Sequence, residues 1–148
     1  MQPYLSCTTS GVMLSNQPYP RITVGITCYN AEHSIQRAIR SALDQAWLDV
    51  EVVVVDDAST DHSWLLIQAI ANDDQRVRPF RHETNQGAAA ARNNILKAAS
   101  GEFIAFFDDD DISRPDRLRL QYERIVAYEH TSVAIWLPAM PLVNEFIP

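Results

Sequence analysis

Glycine is scarce in this chain: Gly11, Gly25, Gly87 and Gly101 are the only four in 148 residues. Neither GxxxxGK[ST] nor GxGxxG can be written across positions so far apart, which excludes the phosphate loop of P-loop hydrolases and the dinucleotide fingerprint. Cysteine is limited to Cys7, in a polar N-terminal stretch, and Cys28, in a predicted strand. That is no disulfide framework, and a reducing cytoplasm is the expected compartment. Basic residues are outnumbered, 12 Lys+Arg against 19 Asp+Glu, for a formal charge of -7 and a pI near 4.9. Such a balance gives no electrostatic footprint for duplex nucleic acid. There is also no unbroken apolar run of the roughly 20 residues a spanning helix requires. The most apolar late stretch, Val133 to Val143, is interrupted by Pro138 and Pro141. Before Arg21, the first basic residue, Ser, Thr, Asn and Gln break every apolar segment, so a secretory signal is not expected. The expectation is a soluble protein, at most peripheral at the inner face of the membrane.

What is present suits a globular α/β domain. With 47% hydrophobic and 21% charged residues, a chain of this length buries about two thirds of its unfolded surface. Residues 1–20 mix Ser, Thr, Gln, Pro and Gly without period and read as a flexible tail; residues 21–148 read as the folded domain. Ile22 to Cys28 reads as a strand. A helix with Ile35, Ala38, Ile39, Ala42 and Leu43 on one face follows a candidate cap at Asn30. Val50 to Val55 is a β-branched run typical of a strand buried on both faces. Ser63 to Ala71 follows as a helix with Asp61 as its cap. Arg76 to His82 reads as a polar edge strand. Gly87 to Ala99 reads as a helix closed by Gly101. Phe103 to Phe107 reads as a second buried strand, and Pro115 opens a helix through Tyr128 carrying Leu118, Tyr122, Ile125 and Val126. Val133 to Leu137 reads as a last strand. Alternation of this kind predicts a mostly parallel sheet sandwiched between helices, with ligands beyond the carboxyl ends of the strands at the switch point of strand order.

Three polar clusters fall where such a site would lie: Thr27-Cys28-Tyr29-Asn30, Asp56-Asp57-Ala58-Ser59-Thr60-Asp61 and Asp108-Asp109-Asp110-Asp111. Four successive aspartates repel one another and serve no packing purpose, whereas a hard divalent cation wants oxygen ligands and can hold phosphates as well. Taken alone, an acidic run is as readily a solvated loop at a helix N-terminus. Alignment of three clusters favours a site. A calcium EF-hand starting at Asp108 fails, because Ile112, Ser113 and Arg119 stand where an acid or Asn, a Gly and a Glu are needed. His33, His62, His82 and His130 are scattered without metal spacing and read as surface residues. Trp47 and Trp64 read as packing residues.

Four segments in series carry a resemblance: Thr27-Cys28-Tyr29-Asn30-Ala31-Glu32, Glu51 through Asp61, Asn85-Gln86-Gly87 through Asn93, and Gly101 through Asp111. In order and spacing, over roughly residues 20 to 130, they resemble the family 2 glycosyltransferases of GT-A fold. The resemblance implies a Rossmann-like three-layer sandwich, incomplete here at its C-terminus, that binds a nucleotide-diphosphate sugar, a UDP-sugar first. It implies that Thr27, Tyr29, Asn30, Asp56, Asp57, Arg92, Asp108 and Asp109 surround the nucleotide sugar. It also implies that Asp110, with Asp108, holds Mn2+ or Mg2+, a shift onto Asp109 remaining open. Tyr29 offers a flat apolar face with a polar tip, and Asp57 an acceptor for the imide of a base. Structural alternatives stand beside three of these roles: Tyr29 in the core, Asp56 capping a turn and Arg92 on the surface of its helix.

The implied reaction is transfer of the sugar to an acceptor hydroxyl of a saccharide or lipid-linked saccharide, with inversion, the metal neutralising the departing diphosphate. A separate carboxylate must deprotonate the acceptor. In the family it lies well downstream, and this chain runs only 37 residues past Asp111, so the base is expected to be absent, and Glu145, the only acid after Glu129, is not assigned to the role. The expectation is the donor half of a longer enzyme, binding donor but transferring poorly, with its C-terminal apolar segment open to self-association. Two alternatives stand beside it: a nucleotide-sugar binding module without catalysis, and a GT-A-like nucleotidyltransferase, which the absence of glycine in Thr27 to Asn30 disfavours.

Overall fold

The computed structural model describes residues 19–129 of the chain. The expectations for residues 1–18, His130, the strand at Val133 to Leu137, Glu145 and the apolar C-terminal segment lie outside them. In chain order the elements are β1 (Ile22–Cys28), α1 (Ile35–Leu43), β2 (Val50–Asp56), α2 (Ser63–Asp73), β3 (Val77–Arg81), α3 (Ala88–Ala98), β4 (Phe103–Phe107) and α4 (Arg117–Glu129). The strands form one parallel sheet in the order β3-β2-β1-β4. Cys28 lies opposite Asp56, and Ile26 opposite Phe107. The three polar clusters therefore leave the sheet side by side at its carboxyl edge.

Two-residue periodicity decides what each face buries. Ile22, Val24 and Ile26 of β1 and Val50, Val52 and Val54 of β2 pack with Ile35, Ile39 and Ala42 of α1, Ile67 and Ile70 of α2, and Leu118 of α4. On the other face Val53 and Val55 meet Ala91 and Ile95 of α3. This is the helix-sheet-helix sandwich expected. Complete burial of a valine contributes about 1.5–3 kcal/mol relative to exposure, and Val52 to Val55 are all 0% exposed. Close packing also fixes two glycines: a Cβ on Gly25 would lie 2.4 Å from Ile95 Cγ2, and one on Gly101 2.6 Å from the Thr23 backbone nitrogen. At the amino edge of the sheet, buried Glu51 is held by Thr23 Oγ1–H, the Ser100 N–H and Arg78 Nη1. These donors outweigh the upward push of burial and keep its carboxyl below the ordinary range.

Several local expectations are corrected. Tyr19 and Pro20, assigned to the tail, pack on Trp47: Trp47 Nε1–H donates to the Pro20 carbonyl at 2.9 Å, and the Tyr19 ring meets the indole edge-on. Strand β4 is half-buried rather than buried, Phe106 being 38% exposed, because β4 pairs only with β1 among the described strands and α3 lies over β1 and β2. Gly101 serves close approach and not a helix end, for α3 stops at Ala98 with Ala99 after it. Helix α4 begins at Arg117, so Pro115 precedes the first turn. The N–H of Leu118 in that turn is instead capped from across the fold by Gln45 Oε1 (3.2 Å), while Gln45 Nε2 donates to the Ser41 and Arg114 carbonyls. On α4, Leu118 is buried and Tyr122 meets Trp47 and Phe103 edge-to-face, but Ile125 is 40% exposed.

Candidate functional site

Because β1, β2 and β3 progress in one direction and β4 lies on the other side of β1, the strand order reverses between β1 and β4. The site is built there. The chain leaves β1 at Cys28, turns at Tyr29 and Asn30, and meets the acidic loop that leaves β4: the Tyr29 N–H donates to Asp109 Oδ2 at 3.2 Å. Asn30 adopts φ 51, a left-handed conformation that asparagine tolerates. It is not a helix cap, since α1 starts only at Ile35. Its Oδ1 accepts the Thr60 N–H (2.8 Å) and its own N–H donates to Ser59 Oγ (2.9 Å), which pins the β1 loop to the β2 loop. Asp61 serves both sides, accepting the Ser63 N–H at the start of α2 and the Glu32 N–H from the β1 loop.

Asp56 closes β2 and Asp57 follows it, and the two carboxylates take separate partners. Asp56 is fully buried; its Oδ2 accepts the Ser59 N–H (3.3 Å) and pairs with Arg81 Nε (3.1 Å), the geometry of a turn clamp. Its Oδ1 has no partner among the described residues. Asp57, 4% exposed, is a hub. Oδ1 accepts from His82 Nδ1 (2.6 Å) and the Gln86 N–H (2.8 Å), and Oδ2 accepts the Gly87 N–H (2.7 Å). Burial alone would raise this carboxyl, yet the donors hold it below the usual carboxylate range. Gly87, at φ 87, is the turn into α3.

His82 was expected on the surface and is buried, 7% exposed. It directly follows β3, where its N–H donates to the Asp56 carbonyl and its ring sits between Asp57 and Asn94. His33 and His62 are exposed as expected. Trp47 is buried; Trp64 is half-buried under the Arg81 guanidinium.

In the acidic loop Asp108, Asp110 and Asp111 are exposed and Asp109 is half-buried. Burial, then the charges of Asp110 and Asp108, raises the Asp109 carboxyl against the opposing Tyr29 N–H. Among the described residues no three His, Cys, Asp or Glu side chains converge into a complete coordination set. Cys28 lies beneath this loop; burial, with Asp109 and Asp56 nearby, pushes its thiol up to about 12, so it is protonated at neutral pH and no nucleophile. Tyr29 is 50% exposed at the rim and Thr27 half-buried. Arg92 lies exposed on α3, behind the Asn85-Gln86-Gly87 turn. The structure thus joins Tyr29 with Asp109, Asn30 with Ser59 and Thr60, and separately Asp57 with Gln86 and Gly87.

A parallel α/β sandwich with its polar loops gathered at the switch point defines the class of protein. Comparison with known proteins makes it particular. The family model for glycosyl transferase family 2 matches residues 23–144, and the chain belongs to that family, on the GT-A fold. An Escherichia coli protein named UDP-Glc:alpha-D-GlcNAc-diphosphoundecaprenol beta-1,3-glucosyltransferase WfgD is 40% identical over 100 residues, 68% of this chain and 39% of that protein. The crystal structure of S. aureus TarS 1-349 in complex with UDP-GlcNAc matches with TM-score 0.65 and 32% identity, over 74% of this chain and 32% of that one. The mannosyltransferase PcManGT from Pyrobaculum calidifontis, in complex with GDP-Man and Mn2+, matches with TM-score 0.63 and 27% identity, over 70% of this chain and 34% of that one. The chain spans from 30% to 52% of the length of the curated relatives it matches first. Among its described residues no helix is long and apolar enough to cross a membrane.

Proposed function

We propose that this chain supplies the donor side of a glycosyltransferase: it binds a nucleotide-diphosphate sugar, UDP-linked in the first instance, with Mn2+ or Mg2+, for inverting transfer to an acceptor hydroxyl. The observation that carries the reading is the Tyr29 N–H to Asp109 contact, which brings the base-side turn and the acidic loop together at the switch point. Tyr29 offers its half-exposed ring to the base and ribose, with Thr27 and Asn30 beside it. Asp57 Oδ2, with a single internal donor, keeps an acceptor position for a base imide. Asp56 acts from below by fixing the Ser59 turn, and Arg92 approaches the diphosphate from α3.

The acidic loop fits a divalent cation. Burial first, and the neighbouring Asp110 and Asp108 charges after it, raise the Asp109 carboxyl, and an incomplete protein ligand set suits an ion that one or two carboxylates hold and substrate phosphates complete. Asp110 and Asp108 would hold it, Asp109 being engaged by Tyr29. When bound, the metal supplies neutralisation of the leaving diphosphate. The residues themselves bind the nucleotide, orient the diphosphate and keep the Cys28 thiol out of the chemistry. For the acceptor, a lipid-diphosphate-linked saccharide is supported by one feature: an open groove of about 380 Å³ lined by Arg124 together with Arg114, paired to Asp116, and Arg117, bonded to Ser113 and the Phe106 carbonyl, with Asp111 at its edge. Guanidinium groups match phosphate oxygens well. None of the described carboxylates is assigned as the base. Titration of UDP by calorimetry with and without Mn2+ tests the reading. Metal-dependent affinity should fall about 10-fold or more in Asp110→Asn; unchanged affinity would remove Asp110 from the site, and no UDP binding by the unaltered chain would refute the proposal.

A further inference from the structure

We propose that His82 is a positioning residue for nucleotide recognition, acting through Asp57 to present that carboxylate to the base. The inference rests on the nucleotide-donor reading above and extends it to a residue outside the clusters at the ends of β1, β2 and β4. His82 is buried and bonded at both ring nitrogens: Nδ1 lies 2.6 Å from Asp57 Oδ1 and Nε2 lies 2.6 Å from Asn94 Nδ2. The amide of Asn94 donates to Nε2, so the ring proton sits on Nδ1 and is donated to Asp57. A carboxylate oxygen takes about two hydrogen bonds. Oδ1 is filled by His82 and the Gln86 N–H, and Oδ2 carries the Gly87 N–H alone. One acceptor position therefore remains, and it is on Oδ2.

The arrangement also spans three elements. His82 follows β3, Asp57 follows β2, and Asn94 lies about two turns along α3 from the Gly87 entry and two residues from Arg92. Rotation of the Asp57 carboxylate about its Cβ bond would exchange the two oxygens or tilt both away from the turn. The two backbone N–H groups of one short turn resist this weakly, because they move together with the turn. The His82 ring is anchored separately, by its own N–H on the Asp56 carbonyl and by Asn94 of α3, and resists it independently. His82 thereby fixes which oxygen faces the turn and which keeps its free position.

The consequence is a specificity effect and not merely a stability effect. Uracil carries an N3–H that a carboxylate accepts, whereas cytosine has a lone pair there, so a correctly held Asp57 favours UDP over CDP. A hydrogen bond to a charged group supports about 10-fold discrimination or more. The test measures the ratio of UDP to CDP affinity, in Mn2+, for the full 148-residue chain and three variants. His82→Asn keeps a donor at the place of Nδ1, and its ratio should stay within about 3-fold of the unaltered chain's. His82→Gln reaches toward Asn94 and loses the Asp57 bond, and His82→Leu loses both; in these the ratio should fall toward one. Thermal melts accompany each, since a purely structural role would weaken both nucleotides alike and track stability. Retained discrimination in a folded His82→Gln or His82→Leu would overturn the inference while leaving the function intact. Absence of nucleotide binding by the unaltered chain would overturn both.

Discussion

Asp57→Asn is the substitution whose cost can be worked most fully from the structure. Three donors converge on this carboxylate, from His82 (2.6 Å), Gln86 (2.8 Å) and Gly87 (2.7 Å). The isosteric amide keeps one oxygen. Placed at Oδ1 it still serves His82 and Gln86 as a neutral acceptor, but its NH2 then faces the Gly87 N–H, donor against donor. Losing a charge-assisted bond costs about 1.5–3 kcal/mol, and an unsatisfied donor adds about 1–3 if fully dry. Gly87 is only half-buried, so water replaces part of that loss. The expected destabilisation is about 2 kcal/mol by urea unfolding, or roughly 4–8 °C in Tm for a domain of this size. The sign of the pH dependence follows from the depressed carboxyl. Its stabilising contribution is present in full above the unfolded value near 3.9 and is lost as pH falls through the lower folded value. The gap between the parent and Asp57→Asn should thus be constant above about pH 5 and shrink on acidification below about pH 4. A gap under about 0.5 kcal/mol at pH 7, or one that widens in acid, would refute the hub assigned to Asp57.

Two further substitutions probe the frame that positions the site. Gly25→Ala drives a Cβ to 2.4 Å from Ile95 Cγ2 and should cost about 1–3 kcal/mol by overpacking; Ile95→Ala in the same chain should recover part of that loss, and strict additivity in denaturant melts would contradict the contact. Ala58 sits at φ 60 in the β2 loop, where an L-residue costs about 1–2 kcal/mol and glycine is free. Since glycine also has more unfolded-chain entropy to lose, Ala58→Gly should stabilise by about 0.5 kcal/mol, and a clear loss of stability would argue against that backbone.

Much of the sheet was legible because its signals are local. The β-branched run starting at Val50 and the alternating stretch Ile22 to Cys28 define their strands within a residue of the observed ends. The three clusters met at one edge because parallel strands end together. What escaped is tertiary. Asn30 as a helix cap and Asn30 as a pin on Thr60 use the same chemistry, a side-chain oxygen accepting a backbone N–H, and only the distance to the next loop distinguishes them. His82 has partners 25 and 12 residues away, so no spacing rule finds it. The signal available was register: an edge strand ending beside Asp56 places its next residue next to Asp57. Glu51 was overlooked for the opposite reason, as a charge at the head of an apolar strand whose donors come from Thr23, Arg78 and Ser100.

The central claim, that a metal-held nucleotide sits between the Tyr29 turn and the acidic loop, is tested most directly by paramagnetic broadening of amide resonances. Mn2+ added at substoichiometric ratio to the isotopically labelled chain with UDP should broaden the resonances of residues 27–30 and 108–111 first. Signals at the amino edge of the sheet, around Thr23, Glu51 and Gly101, lie a full strand length away, about 20 Å for six to seven residues, and should broaden last. Asp110→Asn should abolish the selectivity. Broadening centred elsewhere, or equal at both edges of the sheet, would contradict the account.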